Sequence, residues 1–291
     1  MWLQIVGKFR LANTAWVNHS WHATFYVTGR GLTTSLVPGR DAGYEVVFDF
    51  LDHALRVTTT EGAEEQFALE PMPVAAFHER FLAVLARLGA PTRMHHAPNE
   101  VPDPVAFREQ TAAGAYDPAA AQDFWRALAA CDAVFEDFRT SFLGKVSPVH
   151  LFWGSLDLAV TRFSGRSAPV HPGGFPALPD AVTREAYSHE VISAGFWPGG
   201  GPIDAPAFYC YAYPAPPGLA DAAIDPEGAY YAKEAGEFLL PYDVVRTAAD
   251  PEATLRRFLV STYDAAANLA GWDRASLDCE PGRRGVPRTV A

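Results

Sequence analysis

Apolar residues recur along this chain at two spacings, and the changes between them divide it into elements. Residues 2–16 place Trp2, Ile5, Val6, Phe9, Ala12 and Trp16 at helical spacing, which predicts a short amphipathic helix. The spacing then drops to two. Residues 22–31 alternate Thr24, Tyr26 and Thr28 with Phe25 and Val27, residues 32–37 repeat the character, and Gly29 and Gly31 between them predict a hairpin turn. Residues 44–51 put Tyr44, Val46, Phe48 and Phe50 on one strand face, and Asp52-His53 turns them into a fourth strand at 55–60.

Pro73 opens a helix whose Val74, Phe77, Phe81, Val84, Leu85 and Leu88 follow the i, i+3, i+4 pattern, with Gly89 as its stop. A short strand is expected at 92–96, after which Pro98, Pro102 and Pro104 break regular structure up to residue 117. Asp117-Pro118 reads as an N-cap with proline at the first helical position, and Phe124, Trp125, Leu128, Cys131, Phe135, Phe138 and Phe142 continue the stripe to Gly144. Strands are expected at 149–163, 186–194, 207–214 and 237–245, separated by Pro/Gly-rich loops at 167–180 and 198–206. A second Asp-Pro start, Asp250-Pro251, opens a last helix that Gly271 ends.

This order predicts an α+β fold of antiparallel sheets covered by helices. It admits two organisations: two ββββα halves, 1–97 and 117–274, joined by the proline-rich segment, or one irregular domain within 1–274. ERFLAVLARLG at 79–89 and RRFLVSTYDAAANLAG at 256–271 are the clearest echo between the halves. A long helix laid on a curved sheet is helix-grip-like and leaves room for a cavity between the two. Residues 275–291, rich in Gly, Pro and Arg, are expected to form a flexible tail whose removal shifts the melting temperature by no more than about a degree or two.

Composition narrows the function classes. The 291 residues are 49% hydrophobic and 13% aromatic, ample for a core. No run of about 18 apolar residues occurs and no basic segment precedes the first apolar ones, so a cytoplasmic location is expected. Cys131, Cys210 and Cys279 are odd in number and far apart, which excludes a disulfide framework and a CxxC motif and predicts reduced thiols. A net charge of -11 makes nucleic acid and anionic membrane poor partners and leaves a small-molecule ligand as the expected one. Gly29, Gly31, Thr33 and Thr34 lack the lysine and helix start of a phosphate loop, and no motif names a cofactor.

The chemistry concentrates in HLFWGSLDLAVTRFSG at 150–165 and YSHEVISAGFWPGG at 187–200, where ionisable residues lie among aromatic ones. Burying such a group unpaired costs about 1–3 kcal/mol, so His150, Asp157, His189 and Glu190 should be paired, liganded or exposed in a cleft, and they are the catalytic candidates. His150 and Asp157 fall on opposite faces of an unbroken strand unless Gly154-Ser155 forms a bulge, and His189 and Glu190 are neighbours on opposite faces. Tyr209, Tyr211 and Tyr213 alternate with Cys210 and Ala212, giving a wall of rings and hydroxyls. Trp153, Tyr187, His189 and Tyr211, on strands flanked by the longest loops, are the expected lining of a ligand pocket, with His150 and Asp157 next. His19 and His22 in NHSWH could give two nitrogens to a divalent metal, although a structural pair is commoner at this spacing, and His95 and His96 read as surface residues.

Two functions follow as expectations: a small-molecule-binding protein with an aromatic, histidine-containing pocket, or a hydrolase-type enzyme using the same His and carboxylate residues, with or without a divalent metal. A structural or partner-binding role is the third reading. MWLQIVGK, VNHSWHATFYVTGRGLTTS, SPVHLFWGSLDLAVTRFSG, REAYSHEVISAGFWPGG, GEFLLPYDVVRT and LAGWD together resemble an uncharacterised bacterial family catalogued only as a domain of unknown function. The resemblance spans residues 1–273 and implies one full-length unit; it carries no reaction, cofactor or site residue.

Overall fold

The period-two segments of the first part of the chain form a plain antiparallel meander. A computed structural model describes residues 1–90, 93–200 and 203–288, and the chain divides into two compact units. The first comprises Met1–Ala129, His150–Ser155 and Pro172–Glu185; the second comprises Ala130–Val149, Leu156–His171 and Ala186–Ala291.

In the first unit, α1 (Trp2–Asn13) precedes β1 (Tyr26–Thr28), β2 (Gly31–Thr33), β3 (Tyr44–Asp49), β4 (Ala54–Thr59) and β5 (Glu64–Ala68), paired in sequence order, and α2 (Val74–Arg87) follows. The register sets Val46 against Val57 and Phe48 against Leu55, so the expected apolar face forms. Phe9 of α1 meets Tyr44 at 6.2 Å, and Phe77 of α2 meets Phe48 at 6.2 Å and Phe67 at 5.3 Å between ring centroids. Helix α1 stops three residues before Trp16, because Asn13 and Thr14 turn their side chains onto the last carbonyls, those of Phe9 and Arg10. β5 escapes sequence reading because most of its positions face solvent and no apolar alternation marks it.

Of the expected strand at 92–96, Thr92 lies outside the described residues and 93–96 are not a strand. His96 is not a free surface residue: its Nδ1 lies 2.9 Å from Nε2 of buried His78 on α2. The proline-rich segment that follows is anchored by Phe107, fully buried in a short 3-10 turn.

Helix α3 (Pro118–Arg139) begins in the first unit and ends in the second. The strand expected at 149–163 is two, β6 (His150–Phe152) and β7 (Asp157–Ser167), separated by a turn in which Leu156 takes a left-handed φ of 65°. After α4 (Asp180–Ala186) come β8 (His189–Trp197), β9 (Ala207–Tyr213), β10 (Tyr230–Ala232) and β11 (Glu237–Pro241), and the strands of the second unit pair in the antiparallel order β10-β11-β9-β8-β7. β11 does not run to Val245, because Pro241 ends it and caps α5 (Tyr242–Arg246).

Helix α6 (Pro251–Leu269) starts as the Asp-Pro signal predicts, Asp250 accepting from the Ala253 N–H at 2.9 Å, and lays Leu255, Phe258, Leu259 and Thr262 on β8 and β9. After α7 (Arg274–Leu277), the expected tail is hydrogen-bonded to the second unit: Leu143 N–H donates to the Leu277 carbonyl at 2.7 Å and Cys279 N–H to the Ser141 carbonyl at 3.1 Å. Residues 289–291 of that tail, and 201–202 of the 198–206 loop, lie outside the described residues. Among the described residues no helix is long and apolar enough to cross a membrane.

Candidate functional site

Strand alternation gives the second sheet two unlike faces. Phe208, Cys210 and Ala212 of β9 turn one way, where the Cys210 thiol and the Thr262 hydroxyl of α6 are hydrogen-bonded. Tyr209, Tyr211 and Tyr213 turn the other way. Register carries this second face across the sheet: Tyr211 stands opposite Ser193 of β8, which stands opposite Thr161 of β7, and Tyr209 stands opposite Gly195, which stands opposite Ala159. Asp157, with the same parity as Ala159 and Thr161, begins β7 on that face. On β11, continuing the pairing of Phe238 with Cys210 places Glu237 beside Tyr211.

Most polar groups of this face bond one another. Thr161 and Ser193 hydroxyls lie 2.8 Å apart, Ser193 is hydrogen-bonded to Tyr211, and Tyr211 and Tyr187 hydroxyls lie 2.9 Å apart, a chain of four hydroxyls. Tyr209 donates to Asp157 at 2.5 Å. Its ring can do so because Gly195 leaves the way clear: a Cβ there would fall 2.5 Å from the Tyr209 hydroxyl. Tyr209 and Tyr211 rings are near-parallel, 5.9 Å apart, and His171 stacks on Tyr187 at 4.8 Å.

Burial first, then Asp157, holds the Tyr209 hydroxyl well above its ordinary pKa of 10, and burial with Tyr187 does the same for Tyr211. Both stay protonated and able to donate throughout the physiological range. Glu237 behaves differently: burial, helped by the charge of Asp157, pushes its carboxyl from 4.5 up to about 7. Between those values the folded state holds more protons than the unfolded one, so this group lowers stability as pH rises from 4.5 to 7. Glu237→Gln is therefore expected to match the parent at pH 4.5 and to be more stable by about 1–2 kcal/mol at pH 8, after allowing for the partial exposure of the carboxyl. Urea midpoints at the two pH values check this, and an equal difference at both would contradict it.

Several expected site residues meet on this face and others do not. Tyr187 and Tyr211 pair, and Asp157 is joined by Tyr209. His189 shares the parity of Val191 and Ser193 and has its Nδ1 3.0 Å from the Ser188 hydroxyl. Glu190 points to the opposite face, where Oε2 accepts from Ser164 at 2.8 Å and from Arg166 at 2.7 and 2.9 Å.

The remaining candidates belong to the first unit. His150 is fully buried, its Nδ1 3.3 Å from the Thr24 hydroxyl and its ring 4.8 Å from that of Phe152. Trp153 donates to the Ala23 carbonyl at 2.6 Å, and its ring fills the space that Gly7 leaves open, since a Cβ there would fall 2.4 Å from it. Next to Gly7, Lys8 places its ammonium 5.4 Å from the Trp153 ring, and burial lowers its pKa from 10.5 to about 8, with Glu100 opposing. His19 donates its backbone N–H to Glu185 at 3.0 Å, and His22 Nδ1 accepts from the Val17 N–H at 3.1 Å. Among the described residues no three His, Cys, Asp or Glu side chains are grouped so as to hold a metal ion.

Glu237, Ser193, Thr161, Gly195 and His171 were not among the sequence candidates. A signal for two of them exists in the chain: Thr161 shares the parity of Asp157, and Gly195 is a glycine inside a strand, which marks a close approach of another group.

A helix-covered antiparallel sheet whose other face carries a tyrosine–carboxylate array defines an α+β protein with a polar aromatic site. The chain belongs to DUF5996, a family of unknown function, whose model matches residues 1–279. Neither a curated protein nor a solved structure is a match.

Proposed function

We propose that the chain binds a small polar organic molecule against the tyrosine face of the second unit. Tyr187 and Tyr211 supply hydroxyls, Asp157 and Glu237 supply carboxyls, and the rings of Tyr209, Tyr211 and His171 supply walls. The observation that carries this reading is the hydroxyl chain from Thr161 through Ser193 and Tyr211 to Tyr187, on the face opposite an ordinary Phe/Cys/Ala core. A sheet needs no such array to pack, and fixed polar groups among rings are what orients a small ligand. The three free cysteines and the net charge of -11 support a cytoplasmic location and a partner other than nucleic acid.

A second reading, a hydrolase, is favoured by one observation: Glu237 titrates near neutrality on the face that also bears Asp157. An acid that holds its proton beside a second carboxyl is the arrangement general acid–base chemistry uses.

Native mass spectrometry of freshly purified protein tests binding, with a thermal-shift screen of small polar molecules beside it. Retained mass or saturable stabilisation is expected for the parent and is lost in Tyr187→Phe and Tyr211→Phe, each of which should change stability by only about 1 kcal/mol. Ligand retained undiminished by both variants would place the site elsewhere. Turnover by the parent that Glu237→Gln abolishes would select the hydrolase.

A further inference from the structure

Glu237 stands apart from the other polar groups of the tyrosine face. Asp157 receives the Tyr209 hydroxyl, and Thr161, Ser193, Tyr211 and Tyr187 hold one another. The Glu237 carboxyl, half-buried beside Tyr211, has no hydrogen bond or ion pair among the described residues. The basic residues of β7 are committed elsewhere: Arg162 to Phe138 and Ser141, Arg166 to Glu190. Lys233 and Glu234, in the turn between β10 and β11, are exposed. The face thus presents ring faces, hydroxyls and a carboxyl that lacks a counter-charge. A half-buried carboxylate in this position is stabilised by a cation, and the half-buried Tyr211 ring beside it attracts one as well.

We infer that Glu237 is the specificity-determining residue of this site and selects a ligand bearing a positively charged nitrogen, of the ammonium or guanidinium class. The inference rests on the small-ligand reading and narrows it. The charged group docks at Glu237 beside the half-buried Tyr211 ring, and the rest of the molecule meets the hydroxyls of Tyr211 and Tyr187. Asp157, Tyr209 and Tyr211 surround the docking point, both tyrosines staying neutral, and Tyr187, His171 and His189 lie further along the same face, so the Glu237→Gln variant is what separates the pH response of Glu237 from theirs.

The test is a calorimetric panel on the full chain, pairing primary amines, guanidines and quaternary ammonium compounds with neutral isosteres, for example choline with 3,3-dimethylbutan-1-ol. The cationic member of a binding pair is expected to bind at least about tenfold tighter at pH 8, and the preference should shrink at pH 6 as Glu237 takes up its proton. Glu237→Gln should abolish both the preference and its pH dependence while the protein remains folded by circular dichroism. Neutral isosteres that bind as tightly as cations would overturn the inference and leave the small-ligand reading standing, as would a preference that Glu237→Gln does not alter. If no member of the panel and no molecule of the thermal-shift screen binds, the small-ligand reading falls and the inference with it.

Discussion

Gly195→Ala is expected to destabilise the chain by about 2–4 kcal/mol and to abolish ligand retention, although it adds a single methyl group. The new Cβ would fall 2.5 Å from the Leu158 carbonyl oxygen and 2.5 Å from both Cζ and the hydroxyl of Tyr209. A flexible side-chain tip could yield, but the Leu158 carbonyl belongs to the β7 backbone paired with β8, so the strands themselves must part. The Tyr209 ring must also leave the trough over Gly195, which takes from Asp157 the donor now 2.5 Å away. Tyr209→Phe separates the two effects: it removes the hydrogen bond and keeps the ring, and should cost about 1.5–3 kcal/mol, the range for a bond to a charged group. Urea unfolding of the two variants checks the order, and a Gly195→Ala protein as stable as the parent would mean that Tyr209 does not lie over β8.

The legible part of this molecule is the part written in hydrophobic spacing. The 3.6 period gave α2, α3 and α6 near their true starts, because Pro73, Asp117-Pro118 and Asp250-Pro251 announce them. The period of two gave β3 and β4 with their register face, and placed Tyr209, Tyr211 and Tyr213 on one side of β9. What spacing does not encode was missed: β5 has no apolar face, and β10 is three residues long and exposed at its start. Spacing predicts one strand over 149–163, with Gly154-Ser155 as the place for a bulge, and the break between β6 and β7 escapes it because Leu156 in a left-handed conformation carries no glycine-like signature.

The site was half legible for the same reason. Tyr187, Tyr211 and Asp157 stood out as polar groups in aromatic stretches, and alternation placed His189 and Glu190 on opposite faces. Glu237 could not stand out, because EFLLP resembles any strand with a polar first residue; only the pairing of β11 with β9 sets it beside Tyr211. Trp153 is expected in a pocket because its strand is flanked by long loops, yet what fixes it is Gly7, nearly 150 positions away along the chain. Such pairings of a glycine with a large ring far along the chain are products of packing and leave no periodic trace.

Arg162→Ala is expected to cost about 3–5 kcal/mol, the largest effect of any single side-chain truncation in the second unit, and to do so without touching the tyrosine face. Arg162 sits mid-strand in β7 with only 2% of its surface exposed. Its Nη2 donates to the Phe138 carbonyl at 2.5 Å and the Ser141 hydroxyl at 2.8 Å, and that carbonyl, in the last turn of α3, also accepts from the Ser141 N–H at 3.3 Å and the Ser141 hydroxyl at 3.0 Å, so the guanidinium joins the network that closes the helix end. The guanidinium lies over three rings, 3.6 Å from Phe138, 4.3 Å from Tyr263 and 5.0 Å from Phe142. Burial lowers its pKa from 12.5 to about 10, opposed by Tyr263 and Asp278, so it remains charged at neutral pH and the rings and carbonyl must hold that charge. Asp278 closes the cage from behind, accepting from the Tyr263 hydroxyl at 2.5 Å and pairing with Arg274 at 2.7 Å. Alanine would leave a cavity between three rings and remove the charge-assisted bonds to the Phe138 carbonyl and the Ser141 hydroxyl. Arg162→Lys should rescue little, because one ammonium cannot bond two acceptors and lie flat against the rings at once. Guanidinium chloride unfolding of the two variants decides the matter: full stability in Arg162→Lys would mean that charge alone, and not the planar fork, holds α3, β7 and α6 together.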